Sequence, residues 1–269
     1  MGGKLNGIIT GLRGGSDVSK ISPKHPRAES LRIRERLVKG FEAGLVVSEG
    51  LAAHGRGEAF DYMLGEKTAE QAKKAVEAAA AMLLTAKRPV ISVNGNVAAL
   101  VPDEVVKLAD SIGAKLEVNL FHGSAEREAR IARYLREHGA KEVLGIDKKF
   151  LAKIEEIHSD RRKVDTRGIA TADVVLVPLE DGDRTEALKK IGKKVIAIDM
   201  NPMSRTARAA DITIVDNIVR VLPHLVRAVK KFSRSGRARL HKIVSDFDNT
   251  KNLKAMVELV SKRLKNISR

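Results

Sequence analysis

The stretch "PVISVNGNVAALVPDEVVKLADSIGAKLEV", residues 89–118, decides the fold. It begins with an apolar run at 89–93, which predicts a buried strand, and passes through the turn-forming residues "NGN" to a predicted helix from Pro102 to about Ile112. A second apolar run at 114–121 predicts another strand. Short apolar strands that alternate with helices are typical of a parallel sheet covered by helices on both faces.

The same alternation continues toward the C-terminus. Apolar runs predict four further strands, at 142–146, 172–179, 193–199 and 212–215. Helices are predicted between them, at 124–139 and 184–192. From 217 to 267 the sequence predicts two or three helices and no strand.

Helices are also predicted upstream of this region. One covers about 26–42, and a second begins near Thr68, which forms a capping-box pattern with Gln71, and ends at Pro89. The sequence therefore predicts an α/β protein with a mainly parallel sheet, helices on both faces, an N-terminal helix and a C-terminal helical segment.

The domain organisation predicted from these patterns is simple. The Gly-rich and weakly patterned residues 1–22 predict a flexible extension, and 23–269 are expected to form a single domain. Within that domain we expect a core at about 43–216 and C-terminal helices at about 217–267.

Composition leaves two classes of partner open. The 269 residues contain 50 Lys and Arg against 34 Asp and Glu, a net charge of +16, which suits a nucleic-acid-binding α/β protein or an enzyme with anionic substrates. Aromatic residues are only 3% and Trp is absent, so a base-stacking surface for single strands is disfavoured. The absence of Cys excludes disulfides and thiolate metal sites.

Several familiar signatures are missing. The sequence has no apolar run long enough to span a bilayer and no signal-peptide pattern, so we expect a cytoplasmic protein without membrane contact. No P-loop, HExxH motif or GxSxG elbow occurs. The lack of GxGxxG after the first strand disfavours a nicotinamide oxidoreductase, a further alternative.

Polar segments follow most of the predicted strands, where ligands bind in open parallel sheets. Asp199 ends a strand and could accept from ribose hydroxyls, while Arg205 and Arg208 follow at a predicted helix start that could receive phosphate or could be an ordinary capped turn. Glu180, Asp181 and Asp183 could hold Mg²⁺ or a substrate ammonium, and Asp183 is expected to cap the following helix. The turn containing Asn94 and Asn96 could bind an anion.

The segment "LAAHGRGEAFDYMLG", residues 51–65, carries charges among small and apolar residues. His54 and Arg56 alternate with Gly55 and Gly57, and the two glycines predict a turn. Glu58 and Asp61 then begin a helical pattern. We expect the two carboxylates to position Arg56 and Arg56 to face an anionic ligand.

Five motifs together resemble the archaeal phosphopantothenate synthetases: "PKHPR" (23–27), "HGRGEAFDY" (54–62), "PVISVNGNVAALVP" (89–102), "ADVVLVPLEDGDRTEAL" (172–188) and "NPMSRTARAADITIVDNIVR" (201–220). The resemblance implies a Rossmann-like, homodimeric ligase of coenzyme A biosynthesis. Such an enzyme joins 4-phosphopantoate to β-alanine with ATP and releases AMP and diphosphate through a phosphopantoyl-adenylate.

The resemblance also implies site residues. The implied ATP contacts are Arg34, Arg56, Asp199, Met200, Asn201, Arg205, Thr206, Asn217 and Ile218. Arg56 and His54 are candidate catalytic residues, and Mg²⁺ is expected to bind mainly through the ATP phosphates. Candidate substrate contacts are His25, Asn94, Asn96, Glu180, Asp181 and Asp183.

Overall fold

A computed structural model describes residues 21–155, 157 and 160–267, and nearly all of the predicted extension 1–22 lies outside these residues. Six parallel strands form one sheet in the order β3-β2-β1-β6-β7-β8. They are β1 (Pro89–Val93), β2 (Lys115–Val118), β3 (Val143–Leu144), β6 (Val174–Pro178), β7 (Lys194–Ile198) and β8 (Ile212–Ile214). The predicted α/β fold class, with a mainly parallel sheet, is confirmed.

The described residues form eleven α-helices. They are α1 (Ala28–Glu42), α2 (Ser48–Leu64), α3 (Glu70–Thr85), α4 (Gly95–Leu100), α5 (Pro102–Ile112), α6 (Ala125–Glu137), α7 (Gly182–Lys190), α8 (Arg205–Ala209), α9 (Ile218–Phe232), α10 (Arg237–Asp246) and α11 (Asn249–Ile267). None of the described helices is long and apolar enough to cross a bilayer.

The sheet is covered on both faces because successive strand residues point in opposite directions. Ile91 and Val93 of β1 belong to the larger core, which is formed with α3, α5, α6 and α9. Val175 and Val177 of β6 pack on the other face, against α7 and a small hairpin. The strand order reverses between β1 and β6, which makes the carboxyl ends of these two strands the switch point of the sheet.

Helix α4 and a small hairpin were not predicted. The "NGN" segment expected to be a turn begins helix α4, and the Asn94 side chain caps it by accepting a hydrogen bond from the Val97 amide at 3.1 Å. The hairpin consists of β4 (Leu151–Lys153) and β5 (Lys163–Asp165), paired antiparallel. Its strands have three residues each and carry charges, so they lack the apolar run that identifies a buried strand.

Both predicted helix caps are wrong. Helix α3 begins at Glu70, and the Thr68 hydroxyl donates instead to Asp216 at 2.6 Å, because the fold places that carboxylate beside it. Helix α7 begins at Gly182, so Asp183 lies inside its first turn and Asp181 occupies the capping position.

The predicted turn around Gly55 and Gly57 is also wrong, because α2 runs unbroken through both glycines. A Cβ built at Gly57 would lie 2.8 Å from Met200 Cε, so the glycine lets the helix approach the end of β7 closely. Helix α11 packs on α2 and α8, which brings α2 over the carboxyl ends of β7 and β8.

Candidate active site

The loop after β7 is held by its own acidic residue. The Asp199 carboxylate accepts hydrogen bonds from the Asn201 amide at 2.9 Å and from the Ser204 hydroxyl at 2.5 Å. Ser204 in turn caps α8 by accepting from the Ala207 amide at 2.9 Å. Burial raises the pKa of Asp199, and the charge of Arg56 opposes this effect. The loop that carries three predicted ATP contacts is therefore fixed before any ligand binds.

Arg56 faces this loop without a fixed partner. Its side chain is exposed, and within the described part of the chain no carboxylate forms an ion pair with it. The expectation that Glu58 and Asp61 position Arg56 is wrong, since residues two or five apart on a helix do not share a face. Whether Arg56 faces an anionic ligand stays a prediction.

Glu58 positions a different arginine, Arg34. The Arg34 guanidinium donates to both Glu58 oxygens at 2.9–3.1 Å, and the Ser30 hydroxyl donates to the same carboxylate at 2.6 Å. Burial acts to raise the pKa of Glu58, but the hydrogen bonds from Arg34 and Ser30 outweigh it, and the pKa is lowered. The ion pair therefore joins α1 to α2.

Asp61 is paired with Arg220, which lies on α9. Arg220 Nη2 donates to Asp61 Oδ1 at 2.5 Å and to Asp216 Oδ1 at 2.6 Å. The Asn217 amide donates to the second Asp61 oxygen at 2.8 Å. Burial acts to lower the pKa of Arg220, but the two carboxylates raise it above its usual value. This network fixes Asn217, a predicted ATP contact, against α2.

A cavity of about 160 Å³ lies between α1, α2 and the start of α9. His54, Glu58, Asp61, Asn217 and Arg220 are among the residues that line it. The His54 Nε2 atom is buried and has no hydrogen-bond partner among the described residues. Burial lowers the pKa of His54, so this candidate catalytic residue is mainly neutral at pH 7.

The remaining predicted ATP contacts lie around the carboxyl ends of the same strands. Arg205 is exposed and donates to Glu186 at 2.9 and 3.1 Å, and the Thr206 hydroxyl donates to the Glu180 carbonyl at 2.8 Å. Met200 and Ile218 are buried, so a ligand can reach them mainly through the backbone.

Glu180 and Asp181 are paired with arginines that were not predicted from the sequence. The Glu180 carboxylate contacts both Arg161 and Arg184, and Arg161 Nη1 lies 3.2 Å from Asp181 Oδ2. Arg184 is fully buried and donates to the Ser92 hydroxyl at 3.0 Å. The available signal for Arg184 was a charged residue at the start of the predicted helix 184–192, four residues after Glu180. Burial lowers the pKa of both arginines to about 10.

Glu117 is a third charged residue that was not predicted from the sequence. It lies on β2, fully buried, and its carboxylate accepts from the Ile169 amide at 2.6 Å and the Asp165 amide at 3.0 Å. Burial raises its pKa to about 7. A single glutamate inside the apolar run 114–121 was the signal for it.

The other candidate substrate contacts are spread over the molecule. The Asn94 amide donates to the Pro178 and Leu179 carbonyls at 3.1 and 3.0 Å, which joins β1 to β6 at the switch point. The Asn96 amide donates to the Gly50 carbonyl at 2.9 Å. His25 is exposed and its Nδ1 accepts from the Arg27 amide at 3.0 Å. The described contacts of these residues are therefore structural, and a ligand role for them stays a prediction.

The fold and the residues at the carboxyl ends of its strands together define a class of protein. The chain is a doubly wound α/β protein whose polar, arginine-bearing segments gather at the carboxyl ends of the strands, where ligands bind in such sheets. A family model described as phosphopantothenate/pantothenate synthetase matches residues 71–263. The chain belongs to this family, and the resemblance noted in the sequence is confirmed.

Relatives with assigned names agree with this family. A protein of Thermococcus kodakarensis named 4-phosphopantoate--beta-alanine ligase is 51% identical over 91% of this chain and 93% of its own. Proteins with the same name are 50% identical in Thermococcus onnurineus, over 91% of this chain and 94% of theirs, and 48% identical in Methanosarcina mazei, over 93% and 98%.

Proposed function

We propose that this protein is an ATP-dependent ligase that joins 4-phosphopantoate to β-alanine. The observation that carries the proposal is the identity of about half of all residues, over nine-tenths of the chain, with proteins of that name. The proposed product is phosphopantothenate, an intermediate of coenzyme A synthesis.

The arrangement around β7 and β8 supports ATP as the ligand. Arg56 on α2 acts electrostatically on Asp199 in the loop after β7. Arg34 lies on the neighbouring helix α1, held by Glu58 of α2, and Asn217 caps α9. Two guanidinium groups can neutralise phosphate charge, and a buried carboxylate at a strand end can accept from ribose hydroxyls. The geometry is thus suited to a nucleotide with its phosphates toward the arginines.

We propose an acyl-adenylate route, with AMP and diphosphate as the other products. A carboxylate does not react with an amine until one of its oxygens becomes a leaving group, and transfer of AMP to the phosphopantoate carboxylate provides one. Arginines close to the phosphates favour this step because negative charge develops on the phosphates in the transition state.

Mg²⁺ is proposed to accompany ATP and to neutralise phosphate charge. Within the described residues no group of three His, Cys, Asp or Glu side chains could hold a metal ion. The Glu180 and Asp181 carboxylates are already paired with arginines. We therefore propose that the ATP phosphates supply most of the Mg²⁺ ligands.

We also propose a homodimer, as the resemblance implies, and a cytoplasmic location. Light scattering after size-exclusion chromatography tests the dimer: a mass of twice the chain's 29.3 kDa supports it, and a single-chain mass contradicts it.

The function itself is tested by an end-point assay with ATP, Mg²⁺, 4-phosphopantoate and β-alanine. Each substrate is omitted in turn, and AMP is resolved from ADP. Formation of AMP and phosphopantothenate only in the complete mixture supports the ligase. Formation of ADP would replace the adenylate with an acyl phosphate, and no turnover would contradict the proposed function.

A further inference from the structure

The cavity between α1, α2 and α9 is rich in acidic groups. Glu29, Glu58, Asp61 and Glu66 line it, against two arginines, Arg27 and Arg220. Glu58 is paired with Arg34, and Asp61 is paired with Arg220, so the lining offers groups of both charge signs, which suits a zwitterion. Of the three substrates of the proposed ligase, β-alanine alone carries a positive group.

Two of the lining side chains can still form a hydrogen bond or an ion pair with a ligand. The buried Nε2 of His54 has no hydrogen-bond partner among the described residues. Arg27 donates from its guanidinium to the Tyr62 hydroxyl at 3.3 Å and forms no ion pair within the described part of the chain. By contrast, Arg220 is held by Asp61 and Asp216.

We propose that this cavity binds β-alanine, with its carboxylate at Arg27 and its ammonium group at His54, and that His54 accepts the proton which the ammonium must lose. The proposal rests on the proposed ligase function. The volume of about 160 Å³ suits a small amino acid, since pockets for drug-sized ligands measure roughly 300–1,000 Å³.

His54 is suited to accept a proton. In the tautomer with the proton on Nδ1, Nε2 carries a lone pair, and burial keeps the ring neutral by lowering its pKa. An ammonium N–H bond breaks, the proton bonds to Nε2, and the amine nitrogen keeps the electron pair. That pair then bonds to the acyl carbon of the phosphopantoyl-adenylate, the carbon–oxygen bond to AMP breaks with its electrons on AMP, and the nitrogen gives its second proton to water.

The cavity is also placed next to the proposed ATP contacts. Asn217 lines the cavity and begins α9, and Glu58 lines it while holding Arg34. A molecule in the cavity therefore shares two of its walls with residues of the proposed nucleotide site. An amine bound in the cavity is therefore next to the place where ATP would activate the acyl group, as the reaction between them requires.

The test separates the two half-reactions in the variant His54→Gln. ATP–diphosphate exchange in the presence of 4-phosphopantoate and the absence of β-alanine measures adenylate formation, and phosphopantothenate formation measures both steps. We expect exchange within about twofold of wild type and a loss of roughly 10²-fold in product formation. His138→Gln is the control, because His138 pairs with Asp103 outside the cavity, and it should leave both rates unchanged.

Equal losses of exchange and product formation in His54→Gln would overturn the proposal, since His54 would then serve the first step. Unchanged rates would overturn it as well. If the wild-type protein catalyses no exchange but does form phosphopantothenate, the adenylate route fails. If it forms no phosphopantothenate, the ligase function fails, and the cavity proposal fails with it.

A second variant, Arg27→Gln, tests the carboxylate end of the cavity. Arg27 is exposed, so its replacement is expected to leave the fold intact. We expect the KM for β-alanine to rise about tenfold or more, and the KM for ATP to stay within about twofold. A rise in the KM for ATP alone would assign the cavity to the nucleotide and overturn the proposal, whether or not His54→Gln folds.

Discussion

The guanidinium of Arg220 lies 2.5 Å from the carboxylate of Asp61, although 159 residues separate them in the sequence. The contact joins α2 to α9 and, through Asn217, orients the turn that follows β8. It makes the position of one wall of the candidate site depend on a buried ion pair.

Replacement of this carboxylate should therefore destabilise the protein. We expect Asp61→Asn to lower the free energy of unfolding by about 1–3 kcal/mol, because Arg220 loses a buried partner but keeps Asp216. Urea denaturation followed by circular dichroism measures the change. The control Asp110→Asn, at an exposed position on α5, should change it by less than about 0.5 kcal/mol. Equal stability of both variants would contradict the role of the pair.

Because the charge of Arg56 is unpaired, we expect its removal to weaken ATP binding without changing the stability of the fold. We expect Arg56→Gln to raise the KM for ATP by roughly 10- to 100-fold, the value of one or two charge-assisted hydrogen bonds. The melting temperature should stay unchanged because the side chain is exposed. Arg133→Gln, at an exposed position on α6, serves as the matched control. A normal KM for ATP in Arg56→Gln would remove Arg56 from the site.

The two glycines of α2 provide a matched pair of variants. Gly57→Ala places a methyl group 2.8 Å from Met200 Cε, whereas Gly55→Ala meets nothing within 4 Å. We expect Gly55→Ala to stabilise the helix by about 0.5–1 kcal/mol without changing the KM for ATP. Gly57→Ala should displace Met200 and raise this KM several-fold. Identical kinetics of the two variants would show that the close approach of α2 does not matter for ATP.

Glu117 predicts a pH dependence of stability. Its pKa of about 7 in the folded protein exceeds the ordinary value of 4.5, so the folded state binds more protons between these values. Its contribution to stability is therefore present below pH 4.5 and is lost as the pH rises through 7. Relative to wild type, Glu117→Gln should be more stable at pH 8 than at pH 5, by on the order of 2 kcal/mol.

Urea denaturation of wild type and Glu117→Gln at both pH values measures this difference. Other titrating groups are shared by the two proteins, so their contributions cancel in the comparison. A stability difference that is the same at pH 5 and pH 8 would show that Glu117 does not titrate in this range.

Much of the sheet could be predicted because its signal is local. The apolar runs around Ile91, Val175 and Ile196 identify strands without knowledge of their neighbours, and the predicted strand positions agree with the structure within a few residues. Short or charged elements carry no such signal, which is why α4 and the hairpin of β4 and β5 were missed.

The sequence by itself determined the fold class and the family, because apolar periodicity and family motifs are properties of neighbouring residues. Only the tertiary structure decided which charges meet. Glu58 and Asp61 pair with Arg34 and Arg220 rather than with Arg56, and Thr68 bonds to Asp216 rather than capping α3. A buried charge requires a partner, and the partner is chosen by which helix faces the packing of the core brings together.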